Sequence, residues 1–340
     1  MSESAYGAGR PGLGGEAVAQ QIMRVGLLPL LLFLSVAFMA VFEQKFFGLN
    51  NLFNVLRSTS FLAIVAAGQM LVLIVAGFDL SVGAVIALTS TVMAKSMAAL
   101  GVMFPEQNAI IIPLGVLCGL GCGLFIGLIN GLCVAYLRVS PFMVTLGTLS
   151  IATGLALLLT QGIPVYGMPD GFVTDFGRAL WFGLPTTVYI ALVIILLVWF
   201  VQTRTRLGRY LYAVGGNLQA AIVSGVPARR NVILAYVLCS MLASTAAVLM
   251  TARLGSGQAS MGGNSMMLQS IAAAVIAGVS LRGGVGRVEL VALGALFLSI
   301  LTNAMNLLRV DSKMQVVILG IVLVAAAALE ELARRRRGHV

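Results

Sequence analysis

The residues able to do chemistry are few and scattered. Among the three lysines, Lys45, Lys95 and Lys313, none stands in G-x-x-x-x-G-K-[ST], so the chain carries no Walker A loop to cradle nucleotide phosphates. The single histidine, His339, lies in the C-terminal tail, and Cys118, Cys122, Cys133 and Cys239 sit inside apolar runs without a CxxC pair. That arrangement argues against zinc and disulfide scaffolds, and no metal site is expected; the cysteines read as small buried apolar residues. Embedded charges are isolated, with no chain of Asp, Glu and His to relay protons. No nucleophile, base and acid cluster as an enzyme would need, so no catalytic residue is expected.

Asp79 is the acid set most deeply among apolar segments. It fits either of two roles: N-cap of a helix opening at Leu80-Ser81-Val82-Gly83, or a proton-relay or substrate group at membrane depth. The neutral polar residues in apolar runs are Gln69, Thr89, Ser90, Thr91, Asn130, Thr145, Thr148, Thr153, Gln269, Ser270, Thr302, Asn303 and Asn306. Such groups bond across helices. Several facing one cavity would suit a neutral, hydroxyl-rich solute that needs weak hydrogen-bond partners and no counter-charge. The candidate pathway residues are Gln69, Asp79, Thr89, Asn130, Thr145, Gln269 and Asn303.

The elements that must hold these groups are dictated by composition. Of 340 residues, 60% are hydrophobic and 9% charged, with a mean hydropathy of +1.04. Soluble domains carry roughly 25% charged residues, so lipid is the expected solvent. Net charge is +10, but the basic residues lie in short loops between apolar runs, where they set topology; nucleic acid is not an expected partner. Crossing the hydrocarbon core takes about 20 apolar residues. Ten runs qualify, near 25–42, 58–77, 82–104, 109–136, 142–160, 184–201, 232–252, 266–281, 289–307 and 314–332, and nine if the eighth and ninth merge. An all-α, polytopic bundle follows, with Leu49–Arg57 as an interfacial helix leading into the second span. Trp181 and Trp199 would mark the two interfaces of the sixth.

Placing both termini in the cytoplasm puts Arg10, Arg24, Arg138, Arg204, Arg206, Arg209, Arg229, Arg230, Arg282, Arg287 and Arg334 to Arg337 inside. Lys45, Arg57, Arg178, Arg253, Arg309 and Lys313 fall outside. Residues 1–20 read as a disordered cytoplasmic N-terminus, 21–333 as the transmembrane domain and 334–340 as a basic cytoplasmic tail. The first apolar run lacks a small-residue cleavage site and is expected to stay as a helix.

Two further patterns stand out. Gly115, Gly119, Gly123, Gly127 and Gly131 recur every fourth residue, which puts them on one helix face as a groove for close packing, or for sliding during gating. The long loop 202–231 carries the turn signal Gly215-Gly216-Asn217, a short amphipathic stretch Leu218–Val223, and flanking arginines. It is either a solvated topogenic loop or a handle for a partner.

Three segments then come into view together: AGFDLSVGAVIALT at Ala76–Thr89, TRLGRYLYAVGGN at Thr205–Asn217 with Ser224-Gly225 beyond it, and SLRGGVGRV at Ser280–Val288. In this order they resemble the permease subunits of ribose-type ABC sugar importers, over residues of about 55 to 330. The resemblance implies a multi-pass protein of the bacterial inner membrane, paired with a second copy or a sister permease. It implies cytoplasmic ATPase subunits that bind ATP and Mg, a periplasmic sugar-binding protein, and no cofactor on this chain. The permease itself would not be an enzyme; it would translocate a monosaccharide or similar polyol. Loop 202–231 would contain the coupling helix, with Gly216, Asn217, Leu218, Gln219, Ala220, Ala221, Ser224 and Gly225 meeting the ATPase. Gln219-Ala220-Ala221 and Gly225 are similar to an E-A-A-x-x-x-G coupling signature without its Glu. One departure stands: Met267-Leu268-Gln269-Ser270-Ile271-Ala272-Ala273 replaces the frequent E-L-D-A-I-A-A, so both acids are missing. The rival reading is an ion-coupled secondary transporter with Asp79 as coupling site. A membrane-embedded enzyme and a channel are the more distant alternatives.

Overall fold

The computed structural model describes residues 27–337. The segment 1–20, the residues 338–340 and His339 among them lie outside the described residues. In chain order the helices are α1 (Leu27–Phe42), α2 (Leu49–Ile74), α3 (Val82–Met103), α4 (Asn108–Ala135), α5 (Pro141–Thr160) and α6 (Thr186–Arg204). There follow α7 (Arg206–Gly216), α8 (Leu218–Val223), α9 (Ala228–Leu254), α10 (Gly263–Ile276), α11 (Val288–Leu307) and α12 (Ser312–Arg337). A backbone surrounded by lipid must bond its own N–H and C=O groups, and an uninterrupted helix does so over any apolar run. Seven helices, α2 to α6, α9 and α11, are long and apolar enough to cross a membrane; α1, α10 and α12 supply shorter apolar stretches. The chain is a multi-pass, nearly all-helical membrane protein.

Several sequence expectations change. Leu49–Arg57 is no separate interfacial helix but the first turns of α2. Trp181 belongs to a hairpin, Leu180–Trp181 paired with Leu184–Pro185, that precedes α6, so its distance from Trp199 is not one helix length. Arg334 to Arg337 continue α12 and are not a separate tail. The eighth run yields only 14 helical residues in α10, about 21 Å of rise.

What completes α10 is an irregular, turn-rich segment, Gly255–Gly262, that runs back along α3. A Cβ at Gly257 would collide with Ala94 and stand 2.7 Å from the Ser90 carbonyl oxygen; one at Gly262 would stand 2.8 Å from the Gly83 carbonyl oxygen. Non-helical backbone at this depth is tolerated only when buried in protein. Here Ser90 Oγ accepts the Gln258 N–H (3.2 Å) and the Thr251 hydroxyl (2.7 Å).

Burial divides the helices into a centre and a margin. In its most apolar stretch α2 is 83% buried, whereas α4, α5 and α6 are 28%, 17% and 28% buried and turn apolar side chains outward. The α4 glycines form the seam between margin and centre, and all five are buried. A Cβ at Gly115 would strike Met97, and one at Gly119 would stand 3.1 Å from Met93 Cβ, both on α3. At Gly123 it would strike Ser244, at Gly127 it would stand 2.7 Å from Val237 Cα, and at Gly131 2.8 Å from Ile233 Cα, all on α9. The stripe therefore serves two neighbours in succession, and dispersion gained at that separation holds the helices together.

Candidate functional site

At one end of the bundle the loop 205–227 is built from two short helices set back to back. Thr205, in extended conformation, caps α7 by accepting the Gly208 N–H (3.2 Å). Asn217 caps α8 by accepting the Ala220 N–H (3.0 Å). Gly225, at φ +78, ends α8, and the Val226 N–H returns to the Ala221 carbonyl (2.9 Å). Ala221 points inward and is buried, while Gly216, Asn217, Leu218, Gln219, Ala220, Ser224 and Gly225 are exposed. Leu218, Ile222 and Val223 present an apolar face to solvent, Val223 at 87% exposure. Ile222 and Val223 were not among the sequence candidates; their signal was the apolar flank of a short helix inside a basic loop.

Behind α7 the three segments that carried the family resemblance converge. A Cβ at Gly215 would fall on the Ile74 carbonyl oxygen at the end of α2 and stand 2.7 Å from Gly284 N. Gly283 and Gly284 adopt φ of +90 and +73, which only glycine takes without strain. Their hypothetical Cβ atoms would stand 2.8 Å from Gly215 O and 2.9 Å from Gly216 Cα. The Gly284 N–H donates to Ile74 O (2.8 Å). Gln202, buried at the end of α6, pins this hub: its amide donates to Gly286 O (2.9 Å) and to the Tyr212 hydroxyl, and accepts the Val288 N–H (3.1 Å). Tyr212 in turn donates to Gly286 O. Sequence reading passed over Gln202 because nothing local marks a glutamine whose backbone partners, Gly286 and Val288, lie more than eighty residues away.

Asp79 lies beside the hub, fully buried between α2 and α3. Its Oδ1 accepts both the N–H (2.9 Å) and the hydroxyl (2.5 Å) of Ser81, the residue before α3. Asn130 donates to Ser81 Oγ (3.0 Å) and accepts from Thr148 (2.9 Å), so the line extends through α4 to α5. Burial raises the Asp79 carboxyl above its ordinary value, with the Ser81 bonds opposing.

The opposite end of the bundle is open where this end is dense. A cavity of about 660 Å³ lies between the first turns of α2 (Asn51, Asn54, Ser58), the last turn of α9 (Arg253), the start of α10 (Met266, Gln269) and the second half of α11 (Ser299, Thr302, Asn303, Asn306). Asn51 and Asn303 clasp each other through reciprocal amide bonds of 3.0 and 2.8 Å. The size suits one small solute. Of the candidate pathway residues, Gln269 and Asn303 line the cavity. The others are elsewhere: Gln69 is buried on α2, Thr89 meets Ser244 (2.9 Å), Asn130 belongs to the Asp79 line, and Thr145 bonds its own helix at Pro141 O (2.8 Å). Asn51 and Asn54, on one helical stripe with Ser58, were hidden by the expectation of an interfacial helix over Leu49–Arg57.

Three continuous helices join the two ends. α2 runs from Asn51 in the cavity to Ile74 in the hub, roughly 35 Å of rise. α9 runs from the end of the loop to Arg253, and α11 from Val288 to Asn306. Among the described residues no group of acids, cysteines and histidines could hold a metal.

Comparison with known proteins places this architecture. The family model described as branched-chain amino acid transport system / permease component matches residues 51–327. The ribose import permease protein of Escherichia coli (strain K12) is 38% identical over 301 residues, covering 87% of this chain and 90% of that protein. The D-allose transport system permease protein of the same organism is 36% identical over 289 residues, 85% of this chain and 86% of its own length. The galactose/methyl galactoside import permease protein of Haemophilus influenzae is 34% identical over 299 residues, 85% and 89%. No solved structure shows a significant match.

Proposed function

This chain belongs to the family of branched-chain amino acid transport system permease components, and from that premise we propose that it carries a monosaccharide or similar polyol across the bacterial inner membrane. It is the permease subunit of an ABC importer, not itself a catalyst, and its fuel comes from a partner ATPase. The sugar follows from relatives named for ribose, D-allose and galactose and from a cavity whose wall sets amides and hydroxyls among apolar side chains.

The observation that carries the mechanism is the glycine hub between loop 205–227 and the roots of α2 and α11. The exposed face of α8, with Leu218, Ile222 and Val223, docks in the ATPase, which binds ATP and Mg. Because Gly215 and Gly284 touch backbone to backbone, displacement of α7 passes to α2 and α11 without slack. Those helices move as rods and reshape the cavity some 35 Å away. The loop faces the cytoplasm, as do both termini; ten passes, with α10 and its irregular lead-in counted as one, return the chain to its starting side. The cavity then opens toward the periplasm, where a binding protein delivers the solute. Lying on the flank of α2, α9, α10 and α11, it is closed by a second permease copy. Asp79, the group that ion coupling would need, is enclosed with Ser81 beside the hub and is not in the cavity wall.

Reconstitution in proteoliposomes tests this reading. Permease, ATPase and binding protein together accumulate sugar with ATP, and the lone permease does not. Accumulation by the lone permease driven by an ion gradient would overturn it.

A further inference from the structure

The cavity carries a cation and no anion. Arg253 is the one charged residue in its wall, and the side chain that it meets is neutral: a guanidinium N–H donates to Asn54 Oδ1 (3.1 Å). Arg57, one turn beyond Asn54 on α2, stands within electrostatic reach of Arg253, and its Nε is buried without an acceptor. Neither arginine is in an ion pair; among the described residues the pair is Arg287 with Glu289, at the hub end. Arginine does not deprotonate in proteins, so two like charges stay close together in a partly desolvated site, at a cost that a bound anion would offset. A second observation points to what surrounds the charge. Thr302 lines the cavity and its Oγ1, buried just behind the wall, has no hydrogen-bond partner; Gln269 and Ser299 stand in the same wall.

We infer that the transported solute is an acidic sugar, its carboxylate held by the Arg253 guanidinium and its hydroxyls by Thr302, Gln269 and Ser299. A guanidinium offers paired N–H donors that match a carboxylate, a charge-assisted contact about twice as strong as a neutral one. A neutral sugar leaves that charge uncompensated. This inference rests on the reading of the chain as a sugar permease and narrows its substrate class to aldonates and uronates.

The test uses the full-length permease in lipid nanodiscs, with D-gluconate and D-galacturonate as probes against D-glucose and D-galactose at equal ionic strength. The acids are expected to bind about tenfold more tightly than the neutral sugars. Arg253→Gln abolishes the preference, Arg253→Lys restores part of it, and Gln269→Asp, which adds a counter-charge to the wall, lowers it. Equal binding of acid and neutral sugar, or a preference that survives Arg253→Gln, overturns the inference. So does an Arg253→Gln variant that loses binding-protein docking while its solute preference is unchanged, because the arginine then serves a protein carboxylate. Uptake by the complete ATP-driven complex is scored separately. If the nanodisc permease prefers acids through Arg253 but the complex accumulates no sugar of either class, the importer reading fails and takes the assignment of the transported solute with it, while the carboxylate-binding role of Arg253 stands. If the complex imports neutral sugars and Arg253→Gln changes nothing, the importer reading stands and this one fails.

Discussion

The two ends of the bundle use opposite materials. At the hub, backbone meets backbone: Gly215 against Ile74, Gly284 against Gly216, with Gln202 filling what remains. At the cavity, backbone is held apart and side chains from four helices surround open space, with the Thr302 hydroxyl left without a partner. A junction made of main chain transmits displacement because it has no rotamers to absorb it. A wall made of side chains can adapt to a solute and release it. The same helices run through both, so in the proposed mechanism coupling and recognition are separated along their length and not between domains.

The contrast predicts a steep gradient of mutational effect. Gly215→Val is expected to cost about 4 kcal/mol or more, since its Cβ overlaps a backbone carbonyl that cannot move aside. The check is folded yield and melting in detergent. Its neighbour sharpens the comparison: nothing lies within 4 Å of a Cβ at Gly216, so Gly216→Ala should melt within about 0.5 kcal/mol of the parent. If both variants fold equally well, the hub is not a backbone contact. Gly123→Leu, at the seam to α9, should cost about 3 kcal/mol, because Ser244 and the Ser240 carbonyl leave no room.

Gln202→Leu strands the Val288 N–H and leaves the Gly286 carbonyl with its Tyr212 bond alone, a loss of roughly 1 to 3 kcal/mol. It should also leave ATP hydrolysis running with less uptake per ATP, measured in proteoliposomes. Uptake per ATP equal to that of the parent would break the claim that the hub couples the two ends.

Asp79→Asn keeps the acceptor for Ser81 and should cost less than about 1 kcal/mol. Its pH signature has a definite sign. Burial raises the folded carboxyl above its ordinary value of 3.8, so the folded state holds the proton more tightly. The associated stability is complete below pH 3.8 and declines as pH rises through the folded value. The Asn variant should show a flatter melting profile across that window. The smallest effect belongs to the cavity: Thr302→Val removes a hydroxyl without a partner, so melting should stay within about 0.5 kcal/mol while KM for uptake rises a few-fold.

How much of this was legible depended on the range of the interactions. Apolar length alone identified the helices, because lipid forces local hydrogen bonding on any long apolar run. The spacing of Gly115 to Gly131 marked a packing face, but not that its upper part meets α3 and its lower part α9. The short helix at Leu218–Val223 was visible in its amphipathic pattern; its exposed Ile222 and Val223 were not, since periodicity says which residues share a face and not which face is covered. α10 was read as a full span because Gly255–Gly262 looks like a loop until α3 supplies Ser90 to satisfy it.

By itself, then, the sequence determined that this chain lives in lipid, that it is helical, that it lacks a Walker A loop, and that its long basic loop carries a short amphipathic helix. These follow from composition and from contacts within a few residues. Only the tertiary structure decided that Asn51, Arg253, Gln269 and Thr302 share one cavity, and that Ile74, Gly215 and Gly284 share one hub. Each of those groups draws its members from stretches of chain more than two hundred residues apart, and no local rule of spacing reaches that far.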